Sequence, residues 1–371
     1  MELDPKFARA WWQLGQAYAY RGDLVAARKS LDKCLAVSHA ATSCLWNRIC
    51  IDELQGRCEA VEADAKQWTT VDGKDPLGRF AFAGALVARG KSREAWAEAL
   101  HQRESTETEE QRPKTAAYDA MLLALLRGDF DGAVKSAREL EKLSANAPSE
   151  TEHQPAARAI LEAYLESGQA AEAARYAEQY MKRRDAWLPE PFEEDFAVAN
   201  DVIPLVLRAL RAGAKIDAAE LERRTAAWTE SWDRRIVTPG RGYVWINGWA
   251  TIAETPDLAK RAVAGLGEMK VPEYTPKTLA IGAVGRTYLL AGRIDDALPL
   301  LEQAAGSCMA LELPVPHTHA NLWLGRAREA KGDTAGACKA YAVVLDRWGH
   351  ATPRSLSADE ARARSRALRC P

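Results

Sequence analysis

Cys308, His317, His319 and Cys338 are residue types that bind metal, since two thiolates and two imidazoles suit a tetrahedral zinc ion. With eight, one and eighteen residues between them, they match no common zinc module. His317 and His319 read instead as the end of a loop and the opening of a helix, and Cys338 as a small contact residue. Ser30 and Lys33 fit the SxxK spacing of certain serine nucleophiles, but the other motifs of those enzymes are missing. Trp187, Trp245 and Trp249 with Glu193, Glu194 and Asp195 would suit a helical toroid that stacks sugars on rings and cleaves them between carboxylates. The three acids sit in a Pro-flanked loop, where a solvated role is the simpler one. The sequence holds no phosphate-binding Gly loop, HExxH, GxSxG or EF-hand pattern. The expectation is a protein that is not an enzyme and needs no cofactor or metal.

The elements around these residues are helices. Ala, Leu, Arg and Glu recur at three- and four-residue spacing, and the alternation of a strand is hard to find. Hydrophobic residues make up 47% and charged residues 27% of 371, the balance of an ordered globular chain. Lys plus Arg (50) nearly equals Asp plus Glu (52) with no basic block, which argues against nucleic acid as a partner. Apolar runs such as AMLLALL at 120–126 are too short to cross a membrane, and no signal core follows the N-terminus. A cytoplasmic protein is expected, its seven cysteines reduced and mostly buried.

Trp11, Leu14, Gly15 and Tyr18 form one helical stripe, RGD at 21–23 interrupts it, and Ala27, Leu31 and Cys34 form the next. Gly15 and Ala27 are expected to face each other at the crossing. Gly22, Gly56 and Gly90 are 34 residues apart, each between an apolar helix and a second helix. This period and stripe resemble the tetratricopeptide repeat. The frame returns more loosely at Gly128, Gly168, around Gly213, at Gly292 and at Gly332. The resemblance implies an all-α, right-handed α-solenoid of eight or nine helix pairs. Expected divisions are an N-terminal array over 1–185, an irregular loop at 186–198, further repeats over 199–356 and a capping helix and tail over 357–371. Ser357 and Glu360 have capping-box spacing for that last helix.

In such arrays the first helices of the pairs line a concave groove. By position, Trp12, Gln16, Tyr20, Trp46 and Asn47 would show at its N-terminal end, and Arg286, His319 and Arg326 at its C-terminal end. Rings give rigid contact area and Arg grips carboxylates, so a peptide or protein partner is implied. The Lys-Asn-Asn-Lys-Arg clamp of chaperone-binding members is not reproduced. The stretch from Gly285 to Leu368 resembles the C-terminal repeat region of bacterial serine/threonine protein kinases, which implies a scaffolding or sensory role beside a kinase. A small-molecule or peptide-signal sensor of the same fold is the alternative. ELDP at 2–5 reads as the tail of a preceding helix, so the chain is expected to be a piece of a longer protein or to self-associate through its N-terminal end.

Overall fold

The computed structural model describes residues 7–184, 186–187, 195–235, 241–275 and 280–371. The first pair, α1 (Ala8–Tyr20) and α2 (Leu24–Val37), shows how sequence becomes hairpin. Gly22 takes φ +83°, a left-handed conformation that other residues adopt at a cost, and turns the chain. Asp23 then caps α2 by accepting from the Ala26 amide at 2.9 Å. At the crossing a β-carbon on Gly15 would lie 2.8 Å from Leu31 Cγ and 3.3 Å from the Ala27 carbonyl oxygen, so the expected small-residue contact is present, with Leu31 seated in it.

The pattern repeats through α3 (Thr42–Leu54), α4 (Cys58–Val71), α5 (Pro76–Ala88), α6 (Arg93–Thr106), α7 (Arg112–Arg127), α8 (Phe130–Leu143), α9 (Gln154–Glu166) and α10 (Ala170–Arg184). A short α11 (Asp195–Asn200) precedes α12 (Ile203–Ala212), α13 (Ala218–Asp233), α14 (Arg241–Ile252), α15 (Pro256–Leu266), α16 (Ala280–Leu290) and α17 (Ile294–Gly306). α18 (Pro314–Ala330), α19 (Thr334–Trp348) and α20 (Leu356–Ala367) end the chain. The described residues therefore hold nine helix pairs and a terminal helix, an all-α repeat array with no strand beyond a single bridge between Asp129 and Thr352. The loop expected at 186–198 falls largely outside the described residues, as do ELDP, Glu193 and Glu194.

The chain divides into two compact units. Among the described residues the first comprises 7–115, 272–275 and 306–312. Asp52, fully buried, ties it together by accepting from Arg28 and Arg57. The Cys308 amide donates to the Glu53 carbonyl at 2.9 Å, and Tyr20 meets Tyr274 edge-on at 5.8 Å. The second unit contains most of α7 and everything from α8 to α20 except those two inserted segments. Within it α9, α12, α14, α16 and α18 pack in succession.

The second unit also folds back on its own beginning. Trp348 Nε1 donates to the Leu125 carbonyl at 2.9 Å, and Thr352 exchanges backbone hydrogen bonds of 2.8 Å with Gly128 and Phe130. In a simple solenoid each repeat touches only its neighbours. Here partners 223 residues apart are joined.

Three expectations need correction. The cysteines are not reduced: Cys34 pairs with Cys44, Cys58 with Cys308 and Cys338 with Cys370, leaving Cys50 as a buried thiol. Cys308 and Cys338 are each spent in a different bond, so neither is available to zinc. The α20 cap is Ser355, which accepts from the Ala358 amide at 2.9 Å, because the Ser357 hydroxyl is held by Glu166. The turn after α12 is made by Ala214 at φ +54°, one residue beyond Gly213.

The Cys58–Cys308 bond encloses a separation of 250 residues, and closing a loop that long removes about 5 kcal/mol of unfolded-chain entropy. Denaturing alkylation without reductant should add one alkyl group per chain, at Cys50, and full reduction should raise the mass to that of seven adducts. Seven adducts without reductant would remove the pairing.

Candidate functional site

The left-handed turn residues supply a register. Glu162 on α9, Arg208 on α12, Arg286 on α16 and Arg326 on α18 each stand six positions before one, namely Gly168, Ala214, Gly292 and Gly332. Helices that pack in succession with their turns aligned bring equivalent residues to one face. α14, between α12 and α16, contributes Glu254 from the irregular segment just beyond its end.

Glu254 is the shared anion of this face. It pairs with Arg208 and lies 3.7 Å from Arg286 Nη1. Its side chain is 43% exposed, and neighbouring protein partly desolvates it. Burial works to raise its pKa, but Arg208 and Arg286 outweigh that and hold it below the usual carboxylate range. Arg286, only 7% exposed, donates from Nη2 to the Ala250 and Thr251 carbonyls at 2.7 and 2.9 Å, two of the free carbonyls that end α14. Burial and the neighbouring Arg208 push its guanidinium down to about 10, and Glu254 only partly offsets them.

Glu162 has no hydrogen-bond or ion-pair partner among the described residues, and burial raises its pKa despite Arg158, His319 and Arg208 nearby. Arg158 is turned to the Ala199 and Asn200 carbonyls at 2.9 and 3.2 Å. The Nε atoms of Arg208 and Arg286 are buried without an acceptor. The charges of this face are therefore only partly satisfied by its own residues.

One edge of the wall is locked. The buried Glu166 carboxylate accepts from His319 Nε2 at 2.7 Å, the Ser355 hydroxyl at 2.6 Å, the Ser357 amide at 2.8 Å and the Ser357 hydroxyl at 2.9 Å. Burial would raise its pKa; the His319 bond and the serine and amide donors together lower it.

Of the residues expected in the groove, Arg286 lies 3.7 Å from Glu254 and His319 is bonded to Glu166. Arg326 is drawn elsewhere, over the Trp323 ring at 4.4 Å and 3.5 Å from Glu360 on α20. The other expected residues lie in the first unit. Trp12 and Gln16 are half-buried on α1, Tyr20 is turned to Tyr274, Trp46 meets Trp68 edge-on at 5.8 Å, and the Asn47 amide donates to Ser43 within α3 at 2.8 Å. Of the toroid residues, Trp187 stacks on His153 at 3.9 Å and Trp245 is buried, donating to the Ala262 carbonyl. Glu162, Arg208 and Glu254 were missed. Counting back from each turn would have found the first, but Gly213 beside Ala214 shifts the count at the second.

Residues 319–350 match the tetratricopeptide repeat family. No curated protein sequence matches the chain. Solved structures similar to it include the P58(IPK) repeat domain, at 13% identity over 97% of this chain and 98% of that one, TM-score 0.26. Naa15/Naa10 bound to HypK follows, at 13% identity over 93% and 64%, TM-score 0.29. Yeast Tom70 is similar at 12% identity over 98% and 96%, TM-score 0.26.

The Glu166 lock makes a pH prediction. Its folded pKa lies below the unfolded value, so its contribution is present above roughly pH 4 and lost as the pH falls through the folded value. Glu166→Gln should cost on the order of 3 kcal/mol at pH 7 in chemical denaturation. The gap to wild type should narrow at acidic pH. A gap that is constant or wider there would contradict the assignment.

Proposed function

We propose that the chain is a non-catalytic interaction module that takes a peptide or a partner protein on the polar inner wall of its second unit. Repeats of paired helices suit such a role because their stacked first helices present one long face. The observation that carries the reading is the set of charges on that face, Glu162, Arg208 and Arg286, which their own neighbours satisfy only in part. A small-molecule or peptide-signal sensor is the second reading, supported by the two guanidiniums that share the Glu254 carboxylate. The resemblance of the last repeats to kinase C-terminal regions supports a place in serine/threonine kinase signalling. The three disulfides favour an oxidising compartment over the cytoplasm for this chain, since reducing compartments keep thiols apart.

Crosslinking and quantitative capture from native extract, without reductant, tests the reading. Proteins bound by wild type should be lost with Glu162→Ala/Arg208→Ala and kept with Arg223→Ala, a control whose side chain on α13 is 73% exposed. Equal capture by all three folded proteins would place the interaction off the wall.

A further inference from the structure

The arrangement around Glu254 has a fixed part and a part that can leave. Arg286 is anchored by its two bonds to the end of α14, and its Nε–H faces no acceptor. Arg208 on α12 points to the same carboxylate and also leaves a buried Nε–H without an acceptor. The Arg286 guanidinium is thus held by backbone bonds, while Arg208, its side chain 15% exposed, is held by burial and by Glu254. Glu254 has no such anchors. It stands outside any helix, between α14 and α15, with its side chain 43% exposed, and one carboxylate serves two guanidiniums. Two cations sharing one anion leave net positive charge, while a guanidinium fork presenting Nε–H beside Nη–H is the geometry that takes a carboxylate side-on with two hydrogen bonds.

We propose that Glu254 is an internal stand-in for the ligand: it occupies a carboxylate seat between Arg208 and Arg286, and a carboxylate of the partner replaces it there. This rests on the reading of the inner wall as the binding face and names what that face recognises. Glu254 swings towards solvent when displaced, and the incoming carboxylate takes over its contacts with Arg208 Nη2 and Arg286 Nη1. The same device keeps the buried guanidiniums compensated when no ligand is bound, and it sets a threshold that weak or neutral ligands do not pass. Glu162, partnerless on the adjacent helix, repels a second carboxylate and so limits the seat to one. A free peptide C-terminus and an Asp or Glu side chain carry the same chemistry, and the test separates them.

The probes are three short peptides, Ac-Gly-Gly-Gly with a free C-terminus, its C-terminal amide, and Ac-Gly-Asp-Gly-amide, titrated into the full chain with the Arg Nε–H resonances as readout. Glu254→Gln should bind at least one carboxylate probe about tenfold more tightly than wild type, as expected if Glu254 holds the seat nine-tenths of the time. The free-terminus and Asp probes identify the source by which of them gains, and the amide should not bind. Arg208→Gln added to Glu254→Gln should abolish the gain. Weaker or unchanged carboxylate binding by folded Glu254→Gln would overturn the stand-in, as would equal binding of the amide or no response to any probe. If the captured partners still depend on Glu162 and Arg208 in that event, the wall remains the binding face and only its carboxylate specificity falls.

Discussion

A buried carboxylate must be given donors or it will not stay charged, and Glu166 draws its donors from the far end of the chain. An uncompensated charge at that depth would cost several kcal/mol. His319, Ser355 and Ser357 supply four hydrogen bonds across separations of 153 to 191 residues. For that to happen α9 must lie against the beginnings of α18 and α20. The docking of Trp348 and Thr352 on the turn between α7 and α8 serves the same closure a few residues away. Within the unit so closed, α9, α12, α14, α16 and α18 pack in succession.

The wall follows from the turns. A left-handed residue follows every first helix except α14, so the position six residues earlier falls at an equivalent height on each of them. On α9, α12, α16 and α18 those positions carry Glu162, Arg208, Arg286 and Arg326, and α14 adds Glu254 where its own turn is made by Thr255 and Pro256 instead. The chemistry of the wall is therefore a consequence of backbone register. Arg326 shows the limit of register alone, because the terminal helix offers it Glu360 and takes it out of the set.

Helix pairing, the Gly15 crossing and the terminal helix were legible from spacing, because these are local interactions that each repeat repeats. The place of Arg286 on a first helix, six residues before its turn glycine, was legible for the same reason. What sequence spacing could not show is anything joining distant repeats. Cys58 and Cys308 lie in separate repeats, and a solenoid with only neighbour contacts would keep them apart, so reading them as buried thiols was the natural inference. Ser357 was read as a cap because its hydroxyl has capping spacing, while its actual partner is 191 residues upstream. Arg208 was hidden by a small local substitution, an alanine doing the work of a turn glycine beside a glycine that does not.

Closure through Glu166 is the claim on which the wall depends, and hydrogen exchange tests it directly. In a Glu166→Ala variant the account predicts faster exchange at three separated places at once: the end of α9 near 163–168, the second turn of α18 near 317–320, and the first turn of α20 near 355–358. Faster exchange confined to the end of α9, with the other two segments as protected as in wild type, would contradict it.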